Sequence, residues 1–265
     1  MCLSKDPYVL DLDSNGFLAM TEKNARFLCA SIKLDSAYRK TYDKNDDNSA
    51  FKYAVDHNKE IMDKEVMTEI CRRIDRENST HLSVSGNQKG DNKGISNTVD
   101  IILGIDDIVV KLQNGNADLV KTIAGYDEKE ANLCEKKRNN FSFASKFCTY
   151  MCRFLFEGSP ESDNYSIYDG VLSRILPYYA WYYCDDETYI TKRGNSGIEK
   201  VFKDKYNYEG YRDLIDRIRQ KIEDKMKFPI TREQFDSMLW YYYKGMGEKE
   251  MHRALNVKGL KKLNG

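Results

Sequence analysis

No excess of positive charge marks this chain: lysine plus arginine and aspartate plus glutamate both total 42, and the formal net charge is zero. A protein that coats nucleic acid without sequence preference is basic, so the chain as a whole does not belong to that class. No apolar run reaches membrane-spanning length and no signal peptide is evident, so a cytoplasmic protein without a membrane partner is expected. The seven cysteines, at positions 2, 29, 71, 134, 148, 152 and 184, form no disulfide framework and no close metal-ligand spacing. His57, His81 and His252 show no ligand spacing either, and no serine–histidine arrangement stands out. Gly86, Gly90 and Gly94 do not follow a strand, so they are not a phosphate-binding loop. Neither a metal nor an organic cofactor is implied.

What is present is helical periodicity. Thr21 is a candidate cap for a helix over Glu22–Ala30, and apolar positions recur at helical spacing from about 48 to 77 with a break near Asp63. The stretch 83–97 is rich in glycine, asparagine and serine and reads as a linker. The β-branched runs between Val99 and Leu112 are ambiguous between strand and helix. Helices are expected over 116–123, 128–138, 142–156 and 169–183, the last bent or interrupted at Pro177. Tyr211, Leu214, Ile215, Ile218 and Ile222 form a helical stripe within 208–227, and Thr231 with Gln234 forms a capping box that opens a helix to Tyr243. The expected class is all-α.

Charge is uneven locally. Between Lys129 and Arg153 six basic residues (129, 136, 137, 138, 146 and 153) stand against Glu130 and Glu135, and the segment from Lys244 onward carries six more against Glu248 and Glu250. Tyrosine occurs 19 times, crowding 178–183 and 241–243. Aromatic faces of this kind either build a helical core or grip a base taken out of the stack.

One lysine stands out. Lys146 lies about one turn inside a helix start, among Phe143, Phe147 and Tyr150. Burial and the positive end of a helix disfavour an ammonium, and a lysine pushed toward neutrality is a nucleophile. Asp169, in Tyr168-Asp169-Gly170-Val171, opens the next helix and is either a cap or a carboxylate that stabilises a developing cation.

The run Asn140-Phe-Ser-Phe-Ala-Ser-Lys146-Phe, the loop after it, Ile167-Tyr-Asp-Gly-Val171, and Leu239-Trp-Tyr-Tyr-Tyr-Lys244 together resemble the helix–hairpin–helix DNA glycosylases. Their 8-oxoguanine branch and its bacterial relatives are the most similar. The resemblance covers roughly residues 95–245. It implies a two-lobed all-α helix–hairpin–helix glycosylase-like fold, in which 96–185 forms the lobe carrying Lys146 and Asp169. Residues 1–95 and 186–265 would build the other lobe, with an active cleft between the two. Lys146 matches the family's catalytic lysine and Asp169 its catalytic aspartate. Arg138, Asn139, Asn140 and Ser142 occupy the hairpin that grips a DNA phosphate, and Tyr150, Met238 and Tyr242 stand where the base pocket is lined. Leu239 and Trp240 are expected in the core.

The sequence departs from the family at three of these places. The hairpin has no glycine, Val171 stands where the family has histidine, and Tyr150 stands where the 8-oxoguanine enzymes carry a base-contacting cysteine. The expected activity is excision of a damaged or modified base from DNA, with associated strand cleavage at the abasic site, by a monomer. The alternative is a glycosylase fold without catalysis that binds nucleic acid or a protein partner, for example in phage defence. A nuclease is disfavoured because no acidic pair has convincing metal spacing; Asp185-Asp186-Glu187 reads as a solvated run.

Overall fold

The computed structural model describes residues 10–34, 51, 60–78, 80, 82, 93–126, 139–190 and 197–246. Among these residues the chain is all-α, and the one β feature is an isolated antiparallel bridge between Leu12 and Leu18. No helix described is long and apolar enough to cross a membrane. The chain divides into two compact units, 1–38 with 168–265 and 39–167. The boundary therefore falls between Ile167 and Tyr168, inside the segment that the sequence reading assigned to a single lobe.

The 39–167 unit holds α2 (Lys64–Asn78), α3 (Lys93–Leu103), α4 (Ile108–Gln113), α5 (Ala117–Ile123) and α6 (Phe141–Leu155), followed by a 3-10 turn at Pro160–Asp163. Asp63 starts α2 by accepting the amides of Glu65 and Val66 through Oδ1 at 2.8 and 3.2 Å, which explains the break in the pattern there. Val66, Ile70 and Ile74 turn one stripe of α2 inward, and Ile95, Val99 and Ile102 do the same for α3. Helix α3 begins at Lys93, so the second part of the expected 83–97 linker is a helix start. The β-branched runs at 99–112 are helical as well. Asn116 caps α5 by accepting the Asp118 amide at 2.9 Å, and Gly115 supplies the left-handed residue (φ 62°) that the α4–α5 turn requires. Helix α6 is the centre of the unit, packed by α2, α4, α5 and the 3-10 turn. The expected helix at 128–138 lies outside the described residues.

Beyond α6 the chain is pinned by polar contacts. Asn164 donates to the Gln113 carbonyl at 2.6 Å, and the buried Tyr165 hydroxyl donates to the Asn116 carbonyl at 2.9 Å. Both bonds tie the segment leading toward Asp169 to the α4–α5 turn.

The other unit contains α1 (Glu22–Leu34), α7 (Gly170–Cys184), α8 (Tyr208–Met226) and α9 (Arg232–Trp240), with π-helical turns at 199–203 and 241–246. Helices α7, α8 and α9 pack on one another, and α1 packs on α9 and the turn after it. The expected stripe of α8 is buried in full, and the Thr231–Gln234 capping box is formed. Pro177 removes an amide from the α7 ladder, yet the helix runs through it because residues 175–180 are buried. The loop before α1 is held by the buried Asn24, whose Oδ1 accepts the Asp11 amide and whose Nδ2 donates to the Asp11 and Ala19 carbonyls. Phe17 in that loop stacks on Tyr178 with ring centroids 3.7 Å apart.

Candidate active-site residues

Helix α6 reads Phe-Ser-Phe-Ala-Ser-Lys-Phe-Cys-Thr-Tyr-Met-Cys-Arg-Phe-Leu from Phe141. With neighbours on several sides, the side chains from Phe143 to Cys152 are at most 1 % exposed, apart from Lys146 at 6 % and Tyr150 at 8 %. Arg153 follows at 7 %, and Ser142 is half-buried. At 3.6 residues per turn, positions 142, 146, 150 and 153 span an arc of about 80°. With the buried Ser145 and Thr149 beside that arc, they make up the polar side of the helix. Phe143 and Phe147, with ring centroids 6.1 Å apart, lie to one side of the lysine on the helix. An ammonium with so little contact with water is costly unless groups nearby compensate it.

Two asparagines precede the start of α6. Asn139 accepts the Phe141 amide through Oδ1 at 3.0 Å. Asn140 is the cap residue by position but makes no side-chain capping bond. Both are half-buried. Arg138 lies outside the described residues.

Asp169 belongs to the other unit. It is 6 % exposed, and its Oδ1 accepts the amides of Val171 at 2.9 Å and Leu172 at 2.8 Å as the cap of α7. Its surroundings are acidic and phenolic. Burial first, then the carboxylates of Asp236 and Asp169, push the Tyr211 phenol well above its usual range. Tyr168 packs edge-on against Tyr211 at 5.3 Å, and burial followed by Glu199 raises its phenol too. Asp236, 2 % exposed on α9, thus shares with Asp169 the field around one tyrosine. The sequence reading did not single it out. Its signal was a carboxylate between Phe235 and Met238 on an otherwise apolar face.

Of the residues expected in a base pocket, Tyr150 lies on the polar side of α6, in a different unit from Met238 and Tyr242. Met238 is fully buried in the α9 core with Phe235 and Leu239. Tyr242 keeps a small exposed edge and meets Tyr243 edge-on at 4.8 Å. Trp240, expected in the core, is half-buried instead, with the Lys244 ammonium 4.3 Å from its ring centroid. Asp186, in the acidic run after α7, is engaged by Arg217 at 2.5 Å and by the Thr188 amide at 2.9 Å. Among the described residues no group of three or more histidine, cysteine, aspartate or glutamate side chains is arranged to hold a metal ion.

Compared with protein-family models, curated proteins and solved structures, the chain matches none.

Proposed function

We propose that the chain is a DNA base-excision glycosylase with associated lyase activity, acting on a damaged or modified base through Lys146. The observation that carries this reading is the near-complete burial of Lys146 in the first half of a helix packed on several sides. A lysine kept for solubility would stand in water, whereas one held among phenylalanines is placed for chemistry or for an anionic partner. In the proposed reaction the Lys146 amine forms a bond to the sugar C1′ as the glycosidic bond breaks and the base leaves with its electron pair, taking a proton. Loss of the ring oxygen bond gives a Schiff base. Removal of a proton from C2′ then expels the 3′ phosphate and nicks the strand. Asp169 stabilises the positive charge that builds on the sugar, electrostatic assistance that contributes several kcal/mol in sites shielded from water. This chemistry needs no metal and no organic cofactor. In this reading the protein acts on DNA as a monomer.

Borohydride trapping tests it. The expected result is a covalent protein–DNA adduct on at least one oligonucleotide from a panel of oxidised, deaminated, hypermodified and abasic substrates, lost in Lys146→Ala. No adduct across the panel overturns it.

The second reading is a glycosylase-like protein that binds nucleic acid or a protein partner without catalysis. It is favoured by the full engagement of Asp169 Oδ1 as a helix cap, and by the asparagines in place of hairpin glycines. Under it, Lys146→Gln and Asp169→Asn would leave function unchanged.

A further inference from the structure

Two of the described turns carry asparagine followed by glycine, Asn15-Gly16 before α1 and Asn114-Gly115 between α4 and α5. In such a pair the glycine nitrogen can reach the asparagine side-chain carbon, because glycine has no side chain to block the approach. The two pairs are held differently. Asn15 is clamped: its Nδ2 donates to the Tyr178 hydroxyl at 3.1 Å and its amide to Asp13 at 2.9 Å, while Phe17 stacks buried on Tyr178. Asn114 is exposed, and among the described residues its side chain makes no hydrogen bond. Its backbone (φ −84°, ψ 0°) ends a helix of six residues, and the buried Gly115 amide donates to the Leu112 carbonyl at 3.0 Å. Attack on Asn114 therefore waits for this turn to open, as the last turn of a short helix does at modest cost. Asn164, bonded to the Leu112 and Gln113 carbonyls, and Tyr165, bonded to those of Lys111 and Asn116, hold it closed.

We propose that Asn114 is a self-modifying site, converted through a cyclic imide to isoaspartate and aspartate, and that the Asn164 and Tyr165 anchors set its rate. The Gly115 nitrogen forms a bond to Cγ of Asn114 and gives up its proton, and the side-chain nitrogen leaves as ammonia. Water, the only co-reactant, then opens the imide. Opening at the main-chain carbonyl gives isoaspartate, which adds a methylene to the backbone, and opening at Cγ gives aspartate. An isoaspartate at 114 displaces Gly115 from its bond to Leu112 and shifts the carbonyls that Asn164 and Tyr165 bind. The product therefore unpins the segment after α6, whereas aspartate leaves the main chain unaltered.

The experiment incubates the full chain at mildly alkaline pH, native and in urea. Peptides are then followed by mass spectrometry for the amide-to-acid change and by methyl labelling with a protein isoaspartyl methyltransferase. The native chain is expected to gain isoaspartate at Asn114 at a rate within about a hundredfold of that in urea, the range of a fraying helix end. Asn15 should convert about fivefold more slowly or less, the factor that one further hydrogen bond supplies. Tyr165→Phe, which removes two anchoring bonds, should speed the native reaction about fivefold and leave the rate in urea unchanged. The isoaspartyl form should melt at a lower temperature than the native chain, and Asn114→Asp should not. Conversion of Asn15 before Asn114 overturns the proposal, as does a native rate at Asn114 below the hundredfold limit. An unchanged native rate in folded Tyr165→Phe overturns the gating by the anchors. If Tyr165→Phe does not fold, Asn164→Ala, which removes the bonds to Leu112 and Gln113, decides in its place.

Discussion

The hydroxyls of Tyr179 and Tyr243 lie 2.9 Å apart and close a ring with the backbone of Leu18. The Leu18 amide donates to Tyr243 at 3.1 Å, and Tyr179 donates to the Leu18 carbonyl at 2.8 Å. Tyr179 has then used its only proton, so Tyr243 is the donor in the bond between them. This ring joins the loop before α1, the middle of α7 and the turn after α9. Tyr243→Phe should destabilise the protein by about 1–3 kcal/mol, because it leaves the buried Leu18 amide without its acceptor and removes the bond that Tyr179 accepts. Combined with Tyr179→Phe it should be clearly non-additive. Urea unfolding of the single and double variants measures both, and additive losses would mean that the ring does not act as a unit.

Stability should fall at alkaline pH. Burial raises the phenols of Tyr179 and Tyr211 well above the ordinary range, and it raises those of Tyr168, Tyr178 and Tyr243 as well. Burial, the largest cause, likewise raises Tyr183, to about 12. In the unfolded chain the same phenols ionise near pH 10. Above that pH the unfolded state holds fewer protons than the folded one, so the stability these groups provide is present below pH 10 and is lost as pH rises toward and beyond 12. Each such tyrosine adds a slope of about 1.4 kcal/mol per pH unit. Unfolding followed at pH 9 and pH 11, alongside tyrosinate absorbance, tests this. Ionisation of every tyrosine near pH 10 in a chain that keeps its native circular dichroism would refute it.

Three thiols should be silent. Burial pushes Cys148 well above its usual value, Cys152 up to about 12, and Cys71 upward with help from Asp75. A thiol without access to water or to its thiolate form does not react. Alkylation mapped by mass spectrometry should therefore leave Cys71, Cys148 and Cys152 unmodified until denaturant is added. Half-buried Cys29 and Cys184 should react earlier. Labelling of Cys148 under native conditions would mean that α6 opens readily, which is incompatible with a rigidly held Lys146.

How much of this was legible in the sequence depended on how local each signal is. The Thr231–Gln234 box and the Asp169 cap are set by residues three apart, and both are found where the pattern placed them. The α8 stripe was legible for the same reason. The run 93–97 was not, because its glycine, serine and asparagine hide the fact that Ile95 starts the buried stripe of α3. Pro177 is a local helix breaker overridden by packing on both sides of it, which no local pattern carries. The candidate site divides in the same way. The burial of Lys146 followed from its phenylalanine neighbours, whereas the effect of both Asp236 and Asp169 on Tyr211 depends on how α7, α8 and α9 meet. Arg153 was visible as a basic residue, but its burial is set by the helices around α6.

Asp169 offers the sharpest separation of structure from chemistry, because both of its roles converge on one carboxylate. As a cap, Oδ1 accepts two amides at the start of α7. An asparagine side-chain oxygen accepts the same bonds, so Asp169→Asn should stay within about 0.5 kcal/mol of the native stability, while Asp169→Ala should lose about 1 kcal/mol. As a catalytic group, the carboxylate acts through its negative charge, which asparagine lacks. Asp169→Asn should then reduce borohydride trapping by at least a hundredfold, a factor equivalent to about 2.7 kcal/mol of barrier, with its unfolding midpoint unmoved. Asp169→Ala should lose both. Thermal melts and single-turnover trapping of the two variants separate the roles. Native-level trapping in Asp169→Asn would leave Asp169 as a helix cap alone and remove its charge from the proposed reaction.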